Sequence, residues 1–252
     1  MQTTAFVISF LAFILDGLLV IRGWGNRLFK LFPIFYSYLV FAFGASLVMY
    51  LIYWLDPRGY SSAYWIYCLI AILAEFMVLV EISDQVFRIF PALRNLGRAL
   101  TILISASLGC LYILPPVLHS RYRDIALLDF ALRASITKII ILAVLFYVAH
   151  HYGSPLGRNV AGLMLGFAVY VAMWAASMAC AKAFGSALYA RILLLTGPTT
   201  YAVCILVWII SLWKLAPAPS LQPIAGSRTG SSDSVALELT RFNNELSKFM
   251  RK

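Results

Sequence analysis

Residues 63–85 read AYWIYCLIAILAEFMVLVEISDQ, twenty-three positions of which only Glu75, Glu81 and Asp84 carry charge. An α-helix rises about 1.5 Å per residue, so a run of this length spans the roughly 30 Å of a bilayer's hydrocarbon core. A barrel strand would instead show about ten residues of strict apolar–polar alternation. Comparable runs cover 4–21, 34–55, 99–118, 131–150, 160–181 and 188–213. The expectation is an all-α integral membrane protein, a seven-transmembrane-helix bundle occupying residues 1–214.

Composition points the same way. Of 252 residues, 62% are hydrophobic and 12% charged, against about 25% charged in an ordinary soluble domain. That excludes a water-soluble fold, which needs far more polar surface to cover such a core. No basic residue precedes the first apolar run and Arg22 follows it. The segment is therefore expected to be a retained first span, not a cleaved signal.

Lysine and arginine mark the cytoplasmic loops of membrane proteins. With the N-terminus outside, the first two cytoplasmic loops hold Arg22, Arg27, Lys30, Arg88, Arg94 and Arg98, whereas the first outer loop holds Arg58 alone. The C-terminus is then cytoplasmic, and a multi-pass location in the plasma or inner membrane follows. A net charge of +10 is assigned to basic loops beside anionic lipid headgroups, with no nucleic-acid partner. Cys68, Cys110, Cys180 and Cys204 fall singly within spans, so neither disulfide nor metal cluster is expected, and no cofactor.

Local chemistry fits these limits. Tyr50, Tyr53 and Trp54 end the second span, Tyr64, Trp65 and Tyr67 begin the third, and Trp208 and Trp213 close the seventh, as expected of interfacial aromatic belts. Asp56-Pro57-Arg58-Gly59 is good turn chemistry between antiparallel neighbours. In the sixth span Gly162 and Gly166 form a GxxxG face that admits a close helix neighbour in the bundle or a homodimer. Gly197-Pro198 is expected to kink the seventh.

After Lys214 the chain becomes Pro-, Gly- and Ser-rich through residue 234, a flexible linker. Beyond it, in residues 235–252, Val235, Leu239, Phe242, Leu246 and Phe249 recur at helical spacing. They form the apolar stripe of a short amphipathic helix that needs a protein partner or the cytoplasmic leaflet to lie on.

Ionisable side chains inside spans are costly and mark candidate sites. Asp16 lies mid-way along span one and Glu75 mid-way along span three. In span five Asp129 and Arg133 are four apart and able to pair. Lys138 is nine positions from Asp129, on another side of the helix, and needs a counter-ion from elsewhere, Glu75 or Asp16. These five residues define a polar cavity for a ligand or ion, or a structural pair that fixes helix packing. Glu81, Asp84 and Arg88 share a face that reads as a solvated helix end.

The motifs for catalysis are weak. His119 and Asp124 resemble the HxxxxD of glycerolipid acyltransferases, without that family's other motifs. Gly197-Pro198-Thr199-Thr200-Tyr201 resembles the NPxxY of G-protein-coupled receptors, but Gly replaces Asn and no DRY triplet is present. The microbial rhodopsins' mid-membrane lysine in the last span is missing. No GxSxG, HExxH or phosphate-binding loop occurs. The function expected is a non-enzymatic sensor, signal-relay module or accessory subunit, resembling in topology the seven-helix input domains of bacterial signalling proteins. A small transporter or proton-coupled carrier using Asp16, Glu75 and Lys138 is the alternative.

Overall fold

The computed structural model describes residues 2–25, 28–56, 58–88, 94–95, 97–99, 101–103, 106–107, 123–151, 157–184 and 186–213. Six long helices dominate: α1 (Gln2–Gly25), α3 (Pro33–Leu55), α4 (Tyr60–Val86), α5 (Arg123–His151), α6 (Arg158–Phe184) and α7 (Ser186–Leu212), with a single turn, α2 (Leu28–Leu31), before α3. Among the described residues five stretches are long and apolar enough to cross a membrane: Phe6–Gly25, Pro33–Leu55, Ser62–Val86, Asp129–His151 and Arg158–Cys180. Thr196–Leu212 of α7 is a shorter apolar stretch. Most of the expected 99–118 span, the 215–234 linker and the 235–252 helix lie outside the described residues.

Each helix divides its residues between two environments at helical spacing. On α4, Ile66, Ile70, Leu73 and Met77 are exposed, while Cys68, Ile72, Glu75, Leu79 and Ile82 are buried. On α1, Phe6, Phe10, Ile14 and Leu18 face outward and Ala12, Asp16 and Leu19 inward. Leu55 and Trp24 are 82% and 78% exposed. Exposed apolar faces of this extent suit lipid, not water.

The helices form a ring in chain order, α1–α3–α4–α5–α6–α7, closed by α7 against α1, with α4 also reaching α6. Residue pairs give the directions. Asp16 meets Tyr201 and Arg22 meets Trp213, so α1 and α7 run parallel. The start of α1 and the end of α7 therefore lie at opposite ends of the bundle. Glu75 meets Lys138, and Ala131 shares a cavity wall with Cys68 and Ile72, so α4 and α5 also run parallel. The pairs α1–α3, α3–α4 and α6–α7 are antiparallel.

Two local devices fix this arrangement. Pro33 opens α3, where its missing N–H costs nothing. The next two donors, Ile34 N and Phe35 N, reach the Glu81 carboxylate of α4 at 3.0 and 2.7 Å. Glu81 is buried, so it caps the positive end of α3 and is not part of a solvated helix end. Nearby, Gln85 Nε2 donates to Leu31 O at 3.1 Å. At the far end Arg58 N donates to Asp56 Oδ1 at 3.2 Å, the turn chemistry expected there.

The second device is the glycine face of α6. A Cβ at Gly166 would fall on the Trp208 indole of α7, and one at Gly162 on Ser211. The GxxxG thus accepts α7 of the same chain. Trp208 is fully buried, its Nε1 donating to Leu163 O at 3.3 Å and its ring edge-on to Phe35 at 5.0 Å. It is a core residue and not the interfacial anchor expected from its place near the span's end. Trp213 keeps an exposed position, with the Arg22 guanidinium 4.7 Å from its ring centroid. Gly166→Val is expected to destabilise the bundle by about 1–3 kcal/mol through overpacking. Thermal unfolding in detergent should show this, while Gly44→Val, where a Cβ meets nothing within 4 Å, should leave the midpoint little changed.

Candidate functional site

The inward stripes of α1, α4 and α5 carry Asp16, Glu75 and Lys138, all buried. A lone charge in this setting is expensive, so each must find a partner or remain an anomaly. Lys138 finds Glu75: its Nζ bonds Glu75 Oε2, with both side chains shielded. The Lys138 ammonium also stands 5.7 Å from the Phe76 ring centroid. Tyr38 Oη of α3 donates to Glu75 Oε1 at 3.5 Å. A polar chain thus runs through the apolar core from α5 through α4 to α3.

Asp16 stands on the other side. Tyr201 Oη of α7 donates to its Oδ2 at 3.1 Å, whereas Oδ1 has no hydrogen-bond partner. No lysine or arginine among the described residues pairs with it. The Tyr201 and Tyr170 rings meet edge to face at 6.1 Å.

Between the two polar groups lies a cavity of about 420 Å³ whose wall includes Asp16, Glu75, Tyr67, Tyr170, Trp174, Pro198 and Tyr201. It reaches from mid-bundle, at Asp16 and Glu75, toward the end where α4 begins, at Tyr64 and Trp65. A neighbouring space of about 200 Å³ shares Tyr67, Tyr170, Trp174 and Tyr201 with it. The size falls within the range of small-molecule sites, which are mostly apolar with a few placed polar groups. No group of three His, Cys, Asp or Glu among the described residues is placed to hold a metal ion.

The other residues singled out from sequence are placed as follows. Asp129 and Arg133 pair with each other at 2.9 Å in the first half of α5, and neither belongs to the cavity wall. Gly162 and Gly166 face α7, and Pro198 stands inside α7 on the cavity wall. Val235, Leu239, Phe242, Leu246 and Phe249 lie outside the described residues, as does His119. Sequence reasoning passed over Tyr38, Tyr170 and Trp174, read Tyr67 as an interfacial anchor, and met Tyr201 only as the end of the Gly197–Tyr201 run; the structure puts Tyr67, Tyr170, Trp174 and Tyr201 on the cavity wall. The signal was available, because a phenol or indole at mid-span depth needs a polar partner or a cavity.

An apolar exterior with charge held inside or at the ends defines a polytopic helical membrane protein. No known protein family, curated protein or solved structure matches this chain.

The ion pair generates a prediction. Lys138→Met alone leaves a buried carboxylate unpaired and is expected to cost about 3–5 kcal/mol, whereas pairing it with Glu75→Gln should recover much of the loss. Unfolding midpoints of the two single variants and the double variant in one detergent give the cycle. A double variant as unstable as the sum of the singles would remove the pair from the account.

Proposed function

We propose that this polytopic membrane protein is a non-enzymatic sensor that holds a small ligand inside its helix bundle and relays occupancy to a cytoplasmic partner through its C-terminal segment. The observation that carries this is the cavity, walled by side chains of α1, α3, α4, α5, α6 and α7, so that a bound molecule touches most of the ring at once. A ligand can shift a bundle only by contacting its two states differently. A site shared among six helices meets that requirement better than one confined to a single pair.

The seven-span count belongs to the same proposal. Because α4 and α5 run parallel, one further crossing, that of 99–118, is what returns the chain between them. Arg22, Lys30, Arg88, Arg94 and Arg158 gather at the bundle end where α1 and α7 finish, which supports placing that end in the cytoplasm. The cavity then extends toward the outer face, and the linker and amphipathic helix of 235–252 leave on the inner one, where the helix meets a protein partner. The GxxxG face, filled here by α7, leaves homodimer formation to other surfaces.

One observation favours the carrier alternative: Pro198 interrupts the hydrogen bonding of α7 at the cavity wall, where transporters place broken helices. The Glu75–Lys138 pair weighs the other way, since it is neutralised internally and does not present two free ionisable groups to a translocation path.

The test is native mass spectrometry of the full-length protein from gently solubilised membranes beside the same chain ending at Ser220. The expected result is a small molecule retained by both forms and a protein partner retained only by the longer one. If neither form retains a small molecule or a partner, the sensor reading falls. Proton flux in proteoliposomes, with Asp16→Asn as the control, then becomes the deciding measurement for a carrier.

A further inference from the structure

The walls of the cavity carry two carboxylates and no basic residue among those described. Glu75 is matched by Lys138. Asp16 is not: it is 2% exposed, receives one hydrogen bond from a neutral phenol, and keeps Oδ1 without a partner. Counted over Asp16, Glu75 and Lys138, the ionised site holds one negative charge in excess. A carboxylate in such surroundings is completed by a proton or by a cation.

The rest of the wall distinguishes between cations. A metal ion needs several oxygen, nitrogen or sulfur ligands in close geometry, and among the described residues no group of three His, Cys, Asp or Glu is placed to hold one, with Tyr201 the neutral oxygen bonded to Asp16. What it has is aromatic surface: seven of the nineteen wall residues are Phe, Tyr or Trp, including Phe13, Tyr67, Tyr170 and Trp174. Aromatic faces attract alkylated ammonium groups through their quadrupoles, and most strongly where water is excluded. The space is far larger than a proton or a bare ion requires.

We infer that the cavity between α1, α4, α6 and α7 is a binding site for a small organic ammonium ion, its positive head paired with Asp16 and enclosed by the aromatic wall. This rests on the ligand-sensing reading and names the ligand's chemical class.

The experiment uses the full chain in lipid nanodiscs and isothermal titration with tetraethylammonium, choline and benzyltrimethylammonium. The comparison compounds are 3,3-dimethylbutan-1-ol, the uncharged isostere of choline, and benzenesulfonate. At least one of the three cations should bind saturably, and neither comparison compound should. Asp16→Asn should weaken that cation by roughly 30-fold or more, the loss appropriate to a desolvated charge partner. Trp174→Leu should weaken it several-fold while the unfolding midpoint stays near that of the parent. If Asp16→Asn does not fold, the comparison of choline with its isostere on the parent protein decides the matter.

Equal binding of the isostere or the sulfonate, or full cation affinity in a folded Asp16→Asn, overturns the ammonium assignment and leaves the sensor reading standing. If no cation binds, the assignment falls, and the mass-spectrometric search for a retained molecule judges the sensor reading separately.

Discussion

An ammonium and a carboxylate meet at the centre of this bundle, on helices that are not consecutive spans of the expected topology, and neither can stay there without the other. Lys138 and Glu75 lie on the buried stripes of α5 and α4, so their contact sets the rotation of both helices and their relative height. Sliding either helix by one turn would separate the charges by about 5.4 Å inside a medium that solvates neither. The dispersion contacts of Leu, Ile and Val around them tolerate many registers. The ion pair tolerates one, and this is the setting in which a buried charge pair contributes specificity more than stability. Tyr38 extends the constraint to α3.

Around that fixed point the bundle divides into a tightly packed half and an open half. At the end where α1 and α7 finish, Glu81 caps α3, Trp208 fills the glycine face of α6, and Arg22 reaches the end of α7. Toward the other end the same ring opens into the aromatic-walled cavity that Asp16 bounds below. The two acids at similar depth have therefore come to different conditions: one locked by a lysine, the other held by a single phenol. Helix neighbours alone explain the difference.

Much of this was legible in the sequence. Apolar run length located the helices, and the rarity of charge within them marked Asp16, Glu75 and Lys138 as residues needing an account. The choice of Glu75 over Asp16 as the partner of Lys138 was not legible. It depends on which helices become neighbours across a ring, and apolar residues on every side of a lipid-embedded helix conceal its inward face. Trp208 was misplaced for a related reason, since a tryptophan near a span's end looks interfacial unless the glycine groove opposite it is known to belong to α7. Glu81 was hidden by its place beside Asp84 and Arg88. Its role exists only because the first turn of α3, with Pro33 at its head, arrives beside it.

The order of the charges along the chain has a consequence for biosynthesis. A lysine at the centre of a nascent helix opposes membrane insertion by about 2.5–3.5 kcal/mol, and α5 also carries Asp129 and Arg133. Glu75 is made sixty-three residues earlier, so where helices insert in order of synthesis α4 enters the bilayer ahead of Lys138. The second charge then enters a membrane that already contains its counter-ion, and the least hydrophobic of the long helices is admitted by a helix that preceded it.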